Sequence, residues 1–265
     1  MPKLSDKWTV GESYEHFMGR WSRLLASRFV SWLPARPNAH WLDVGCGTGA
    51  LGDAICATAQ PASVVGCDLS QPLVEYARQH LVDPRISFVA AGIGQLPTRV
   101  GGFDCASSLL ALNFFPNPEA AIEEMRSVAA PHGLVSACVW DYAGRMEFLR
   151  RFWDSAVAVD PGAAELDEGR RFSICQPDAL ETLFRRGGLR DIVCDSIEIP
   201  TRFSTFADFW TPFMGGTGPA PSYVATLESS RREALAAHLS RSLPRELDGA
   251  ICLVAAAWAV RGVAS

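Results

Sequence analysis

Between residues 40 and 140, short apolar runs alternate with amphipathic stretches, and this alternation restricts the fold more than any other feature. The apolar runs at 40–45, 63–68, 86–91, 103–110 and 134–140 read as strands, and helices are expected at 49–59, 71–81 and 118–130. Strands separated by helices do not pair as hairpins. They line up in parallel, with helices covering both faces. A helix at 177–188, a strand at 190–200, a helix near 229–242 and a strand at 250–261 continue the pattern. The expected fold class is α/β: a doubly wound, mostly parallel sheet of seven strands. The segment 13–33 places Phe17, Trp21, Leu24, Leu25, Phe29 and Trp32 at helical spacing and is read as an N-terminal helix. The whole chain, 1–265, is expected to form a single domain. Residues 1–37 are its N-terminal segment, and 141–176 and 202–245 are cap insertions.

Composition narrows the partners. Net charge is −5 and no basic face is evident, which disfavours nucleic acid. The longest apolar run near the end, 250–260, is too short to span a bilayer and suits a buried strand. The first ten residues lack the apolar core of a leader, so a cytoplasmic chain with no membrane partner is expected. None of the eight cysteines forms a CxxC pair, and most sit in apolar strand-like runs. They are expected to be reduced thiols acting as small core residues.

The first strand runs into "LDVGCGTGA" (42–50). Glycines between a strand and a helix let a ligand approach the backbone and meet free helix N–H groups. The loose pattern G-x-G-x-x-G/A also occurs in dinucleotide enzymes, so a nicotinamide or flavin oxidoreductase stays open. Asp43 weighs against it, because a carboxylate entering the turn repels a pyrophosphate. It suits a ligand that carries an ammonium and a sulfonium, such as S-adenosyl-L-methionine. Asp43 serving only to organise the loop is equally compatible.

These residues resemble motif I of class I S-adenosylmethionine-dependent methyltransferases, and within that Rossmann-like fold the branch of ubiquinone and menaquinone biosynthesis and related small-molecule enzymes. "VVGCDLSQPLVEYAR" (64–78), "FVAAGIGQLP" (88–97) and "FDCASSLLALNFFPNPEAAIEEMRSVAAPHG" (103–133) resemble the family's later motifs in order. The likeness extends over 13–140 and, less closely, 177–200. It implies S-adenosyl-L-methionine as cofactor, with Asp43, Gly45, Cys46, Gly47 and Gly49 at the glycine turn. It also implies Asp68 on the ribose hydroxyls, with Leu69, Gly92 and Ile93 beside the adenine. Ser108 and Leu109 fall by the methionine moiety. Gly92 stands where the family often has an aspartate, so a side-chain bond to the adenine amine is missing there. The arrangement Tyr14, Met18, Trp21 resembles a helix that covers the cofactor in relatives, which makes Tyr14 a cofactor candidate.

Methyl transfer from a sulfonium needs alignment more than acid–base help. No catalytic residue is therefore dictated, and His16, Asn113, Asp141 and Tyr142 are the candidates. Ser107 and Ser108 after strand four, where metal-dependent relatives carry an acid, argue against a metal. Phe148, Phe152, Trp153, Phe203, Phe206, Phe209, Trp210 and Phe213 suit either an apolar acceptor pocket or a core. The expected partner is a small, apolar or aromatic methyl acceptor, and the expected assembly a monomer or homodimer. A non-catalytic module that binds S-adenosylmethionine is the remaining alternative.

Overall fold

The computed structural model describes residues 11–216 and 218–265. The first ten residues, part of the expected 1–37 segment, and Thr217, within 202–245, lie outside the described residues. Helix α1 (Gly11–Tyr14) passes through a π-helical turn (Glu15–Gly19) into α2 (Arg20–Trp32). There follow β1 (His40–Val44), α3 (Ala50–Thr58), β2 (Ser63–Asp68), α4 (Gln71–His80), β3 (Ile86–Ala90) and β4 (Phe103–Leu109). Next come α5 (Pro118–Val128), β5 (Ala129–Trp140), α6 (Glu147–Val159), α7 (Glu168–Arg171), α8 (Pro177–Arg186) and β6 (Arg190–Phe203). The chain finishes with α9 (Phe206–Trp210), α10 (Pro219–Thr226), α11 (Ser229–Ser242) and β7 (Ile251–Val263).

The seven strands form one sheet in the order β3-β2-β1-β4-β5-β7-β6. The pairs β1–β2, β2–β3, β1–β4 and β4–β5 are parallel. Strand β7 runs against β5: the His132 amide donates to the Ala264 carbonyl, and just past the end of β5 the Asp141 amide donates to the carbonyl of Ala256, earlier in β7. The expected mostly parallel, doubly wound α/β sheet is therefore what forms. The chain divides into two compact units. A sheet unit holds Ser22–Val139, Ile174–Ile197 and Trp258–Ser265, and a second unit holds 11–21, Trp140–Ser173 and Glu198–Ala257.

Within the sheet unit β1 is central. Trp41, Leu42, Asp43 and Val44 are all buried, as expected of a parallel strand covered on both faces. Strand order reverses between β1 and β4, so the loops after these two strands part to opposite sides and leave a crevice at the carboxyl edge. Helix α5 starts cleanly because Asn117 accepts the Ala120 amide and Pro118 follows at a position that needs no N–H donor.

Three features differ from expectation. Strand β5 begins at Ala129, so "PHG" is not a turn before it. The β4–β5 register shifts between Phe103 and Cys105, and His132 adopts φ 62°, so the strand absorbs the kink as a bulge. Strand β6 continues past Pro200 to Phe203, which is tolerated because β6 is an edge of the sheet and needs no further donor there. The N-terminal helix contains a π turn, in which the consecutive residues Phe17, Met18 and Gly19 are all buried.

Candidate functional site

The glycine turn lies at the carboxyl end of β1. The Gly45 and Cys46 amides donate to the Cys67 carbonyl (2.8 and 3.0 Å), tying the turn to β2. Three glycines in it have positive φ: Gly45 75°, Gly47 50° and Gly49 88°. The outer two are hemmed in by protein. A Cβ on Gly45 would come within 2.5 Å of the Ala111 side chain, and one on Gly49 within 2.3 Å of Leu81. Gly47 differs, because a Cβ there would meet nothing within 4 Å. Its bare backbone is the open floor of the turn. Cys46 turns its side chain away into the packing of Val74, Ala77 and Phe88. Burial, to which the neighbouring carboxyl groups add, pushes its thiol up, so it stays protonated.

Asp68 ends β2 and steadies the turn from the side. Its Oδ2 accepts the Gly47 amide (3.0 Å) and its Oδ1 the Ser70 amide (2.8 Å). Ser70 stands at the N-cap of α4 and makes no side-chain cap bond; Asp68 holds its amide and so fixes where the helix begins. Burial raises the Asp68 carboxyl, opposed by these two amides. Each oxygen keeps a further lone pair for a ligand. Beside it Leu69 is 83% exposed, and a Cβ on Gly92 would lie 3.2 Å from its Cδ1. Leu69, Gly92 and half-buried Ile93 thus stand together on the rim. The following segment is gripped by Glu124 of α5, whose carboxylate accepts the Gly94 and Leu96 amides.

Asp43 is the unusual member. It lies opposite Gly66 and Ser107 on the flanking strands and is 1% exposed. Neither carboxylate oxygen has a hydrogen-bond partner. Burial, then the charge of Asp68, raise its carboxyl to about 8, and the nearby Gly52 amide opposes this only in part. Other buried polar groups of this unit are unpartnered too, among them the Trp41 indole N–H on β1, the Ser108 hydroxyl at the end of β4, and both amide atoms of Asn113 in the 3-10 turn that follows. That turn packs on the glycine turn through Ala111 and Phe115. Leu109 is buried beside Ser108, and Ser107 differs in pairing its hydroxyl with Ser136 at 2.7 Å. Buried polar groups without partners are rare and mark places where something else supplies the partner.

The residue set fits a cofactor with a cationic end and a nucleoside. Unpaired Asp43 suits an ammonium, Asp68 suits hydroxyl donors, and exposed Leu69 suits an apolar ring.

The remaining candidates lie in the second unit. Tyr14 is half-buried and His16 exposed. His16 lines a cleft of about 430 Å³ with Glu15, Arg20, Ala207, Asp208, Thr211 and Pro212. Arg20 pairs with Asp208 there at 3.0 Å. Asp141 is buried with both oxygens occupied, accepting the Gly144 and Arg145 amides at 3.0 and 2.8 Å. It is a turn-forming carboxylate in this structure. Tyr142 is buried against Phe172, 5.3 Å between rings. Of the eight aromatics weighed as pocket or core, six are core: Phe148, Phe152, Trp153, Phe203, Phe209 and Phe213 are all at most 2% exposed. Phe152 and Phe213 stack at 4.5 Å. Phe206 and Trp210 stack at 6.4 Å and are half-buried.

A mostly parallel sheet with this strand order, a glycine turn after β1 and an acid ending β2 defines the class I methyltransferase architecture. Residues 42–133 match the model of a family described as a methyltransferase domain, and this segment is such a domain. A ubiquinone biosynthesis O-methyltransferase of Xanthomonas campestris pv. campestris is 34% identical over 111 residues, 40% of this chain and 44% of its own. A probable 18S rRNA (guanine-N(7))-methyltransferase of Dictyostelium discoideum is 37% identical over 78 residues, 29% of this chain and 26% of its own. In fold, the chain is similar to a Haemonchus contortus phosphoethanolamine N-methyltransferase 2 solved with S-adenosylhomocysteine. The TM-score is 0.58 at 14% identity, covering 96% of this chain and 56% of that one. The chain spans less than half the length of the curated relatives it matches, from 33% to 44% of four of them. Among the described residues no helix is long and apolar enough to cross a membrane.

Sequence reasoning reached the turn, Asp68 and the rim but missed Glu124. A glutamate on an amphipathic helix reads as surface charge, and only the fold brings it to the Gly94–Leu96 amides.

Proposed function

We propose that this protein transfers a methyl group from S-adenosylmethionine to a small, mostly apolar or aromatic organic acceptor. The observation that carries the reading is Asp43: a buried carboxylate with two unpartnered oxygens beneath a turn whose middle glycine is open. Bound there, the cofactor supplies a methyl group on a sulfur that is already cationic. Asp43 holds its ammonium end, and Asp68 accepts hydrogen bonds from the ribose hydroxyls while its other lone pairs keep the Gly47 and Ser70 amides. Leu69, Gly92 and Ile93 present an apolar wall to the adenine. Ser108, Leu109 and Asn113 border the methionine end, where the Asn113 amide has both a donor and an acceptor to offer. Holding donor and acceptor in register is the main contribution asked of the protein, worth roughly 7–11 kcal/mol in well-oriented systems.

Two carboxylates around one glycine turn favour a cation-bearing cofactor over a pyrophosphate, and nothing in the comparisons favours the oxidoreductase or the non-catalytic alternative. The acceptor class rests on the acidic net charge and on relatives named for ubiquinone and demethylmenaquinone methylation. All eight cysteines are free, which suits a reducing, cytoplasmic setting. The test is calorimetry with S-adenosylhomocysteine and NADH side by side, followed by a screen of phenolic, quinol and nucleic-acid acceptors with labelled cofactor. Binding of S-adenosylhomocysteine and labelling of a small acceptor are expected. Binding of NADH alone, or labelling of RNA alone, overturns the reading.

A further inference from the structure

We propose that a ligand's ammonium group displaces a proton from Asp43, so that seating such a ligand on the glycine turn releases that proton to solvent. The inference rests on the cofactor reading above and adds how the site is charged. A buried carboxylate stays ionised only where donors or a cation compensate for lost water. Asp43 has no cation and little donation: it is 1% exposed, both oxygens lack a close hydrogen-bond partner, and the Gly52 amide opposes the burial only in part.

Its surroundings point the same way on every side. From β2 it faces Asp68, a second carboxylate, and Cys67, a thiol that burial keeps protonated and that offers no cation. From the turn comes Cys46, whose thiol burial likewise keeps protonated. From β4 comes Ser107, whose hydroxyl is engaged by Ser136. From α3 the Gly52 amide is the one favourable dipole, and the acid of that helix's first turn, Asp53, is paired with Arg23 at the surface. Among the described residues, the charge that acts on Asp43 is thus negative, and the protonated carboxyl is the form the pocket accepts. An ammonium arriving at the oxygens reverses the balance. The O–H bond breaks, the proton passes to water, and the carboxylate pairs with the cation. With the carboxyl at about 8, most Asp43 is protonated near neutral pH.

Calorimetry of S-adenosylhomocysteine binding in two buffers of different ionisation enthalpy reads the proton directly. About 0.9 proton released per ligand is expected near pH 7, with affinity rising about tenfold per pH unit up to about pH 8 and then levelling. 5′-Methylthioadenosine, which lacks the ammonium, is expected to bind with no release. Asp43→Asn is expected to abolish the release and flatten the pH dependence. Release that persists in Asp43→Asn, or equal release with 5′-methylthioadenosine, overturns the inference. So does binding of S-adenosylhomocysteine to the unaltered protein with no proton released, although that result leaves the cofactor reading standing. Failure of S-adenosylhomocysteine to bind between about pH 6 and about pH 9 overturns both. The two-buffer and two-ligand measurements use the unaltered protein, so the test does not depend on the variant folding.

Discussion

Four acids are buried among the described residues, and the two units treat them oppositely. In the second unit Asp141 accepts two amides, Asp167 accepts the Gly169 amide and pairs with Arg150 at 2.8 Å, and Glu168 accepts the Trp153 indole N–H. Every one is compensated, as a structural acid must be. In the sheet unit Asp43 is buried as deeply, both its oxygens lack a close hydrogen-bond partner, and the Gly52 amide alone opposes the burial in part. A fold that solves this problem three times elsewhere does not leave it open at β1 by inability. Burial by itself therefore says little about function, whereas burial without partners, next to an open glycine, says a good deal.

The contrast breaks most visibly at the compensated pair. Asp167→Ala strands the Arg150 guanidinium, which is 17% exposed, and a loss of about 3 kcal/mol is expected in urea unfolding. Finding less than about 1 kcal/mol makes this a surface-like pair and weakens the comparison. Asp43→Asn is expected to move stability the other way. The folded carboxyl sits near 8 against an ordinary 3.8, so between those values the folded state holds a proton that the unfolded chain has lost. Stability contributed by protonated Asp43 is full below about pH 4 and is lost as pH rises towards 8, at about 1.4 kcal/mol per pH unit. Unfolding midpoints of the Asn variant from pH 5 to about pH 7 are expected to lack that slope. An unchanged slope means that Asp43 is already ionised in the folded protein.

Smaller effects sharpen the picture at the turn. Asp68→Ala removes the acceptor of the Gly47 and Ser70 amides, and a drop of roughly 10- to 100-fold in S-adenosylhomocysteine affinity is expected by calorimetry. Gly47→Ala and Gly49→Ala separate ligand-facing from protein-facing glycine. Both adopt positive φ, which costs a side chain about 1–2 kcal/mol. Gly49→Ala also meets Leu81 and is expected to lose more stability, whereas Gly47→Ala meets nothing and is expected to lose more ligand affinity. The reverse order in thermal melts and calorimetry contradicts the assignment of Gly47 as the open floor.

The parts legible in the sequence are those governed by neighbours in the chain. The β1–α3–β2 order, the positive-φ glycines, Asp43 and Asp68 all follow from short-range spacing, and β2 has the expected bounds, Ser63–Asp68. What escaped depends on contacts between distant segments. The bulge that lets β5 start at Ala129 answers the β4 register. The π turn at Glu15–Gly19 follows no local breaker. The grip of Glu124 on the Gly94 and Leu96 amides joins positions about thirty apart. Asp141 read as a catalytic candidate because its position after β5 is visible, whereas its two amide partners at 144 and 145 become partners only when the turn closes. The aromatic set shows the same limit, since helical spacing fits a pocket and a core equally well.

The central claim is that the unpartnered oxygens of Asp43 belong to a ligand's cationic end. A crystal structure of the protein with S-adenosylhomocysteine tests it most directly. The account predicts the ligand on the Gly47 floor, its ribose on Asp68, and its ammonium reaching an Asp43 oxygen at about 3 Å, directly or through one water. A ligand bound elsewhere, or bound on the turn with both Asp43 oxygens still lacking a donor, would contradict it.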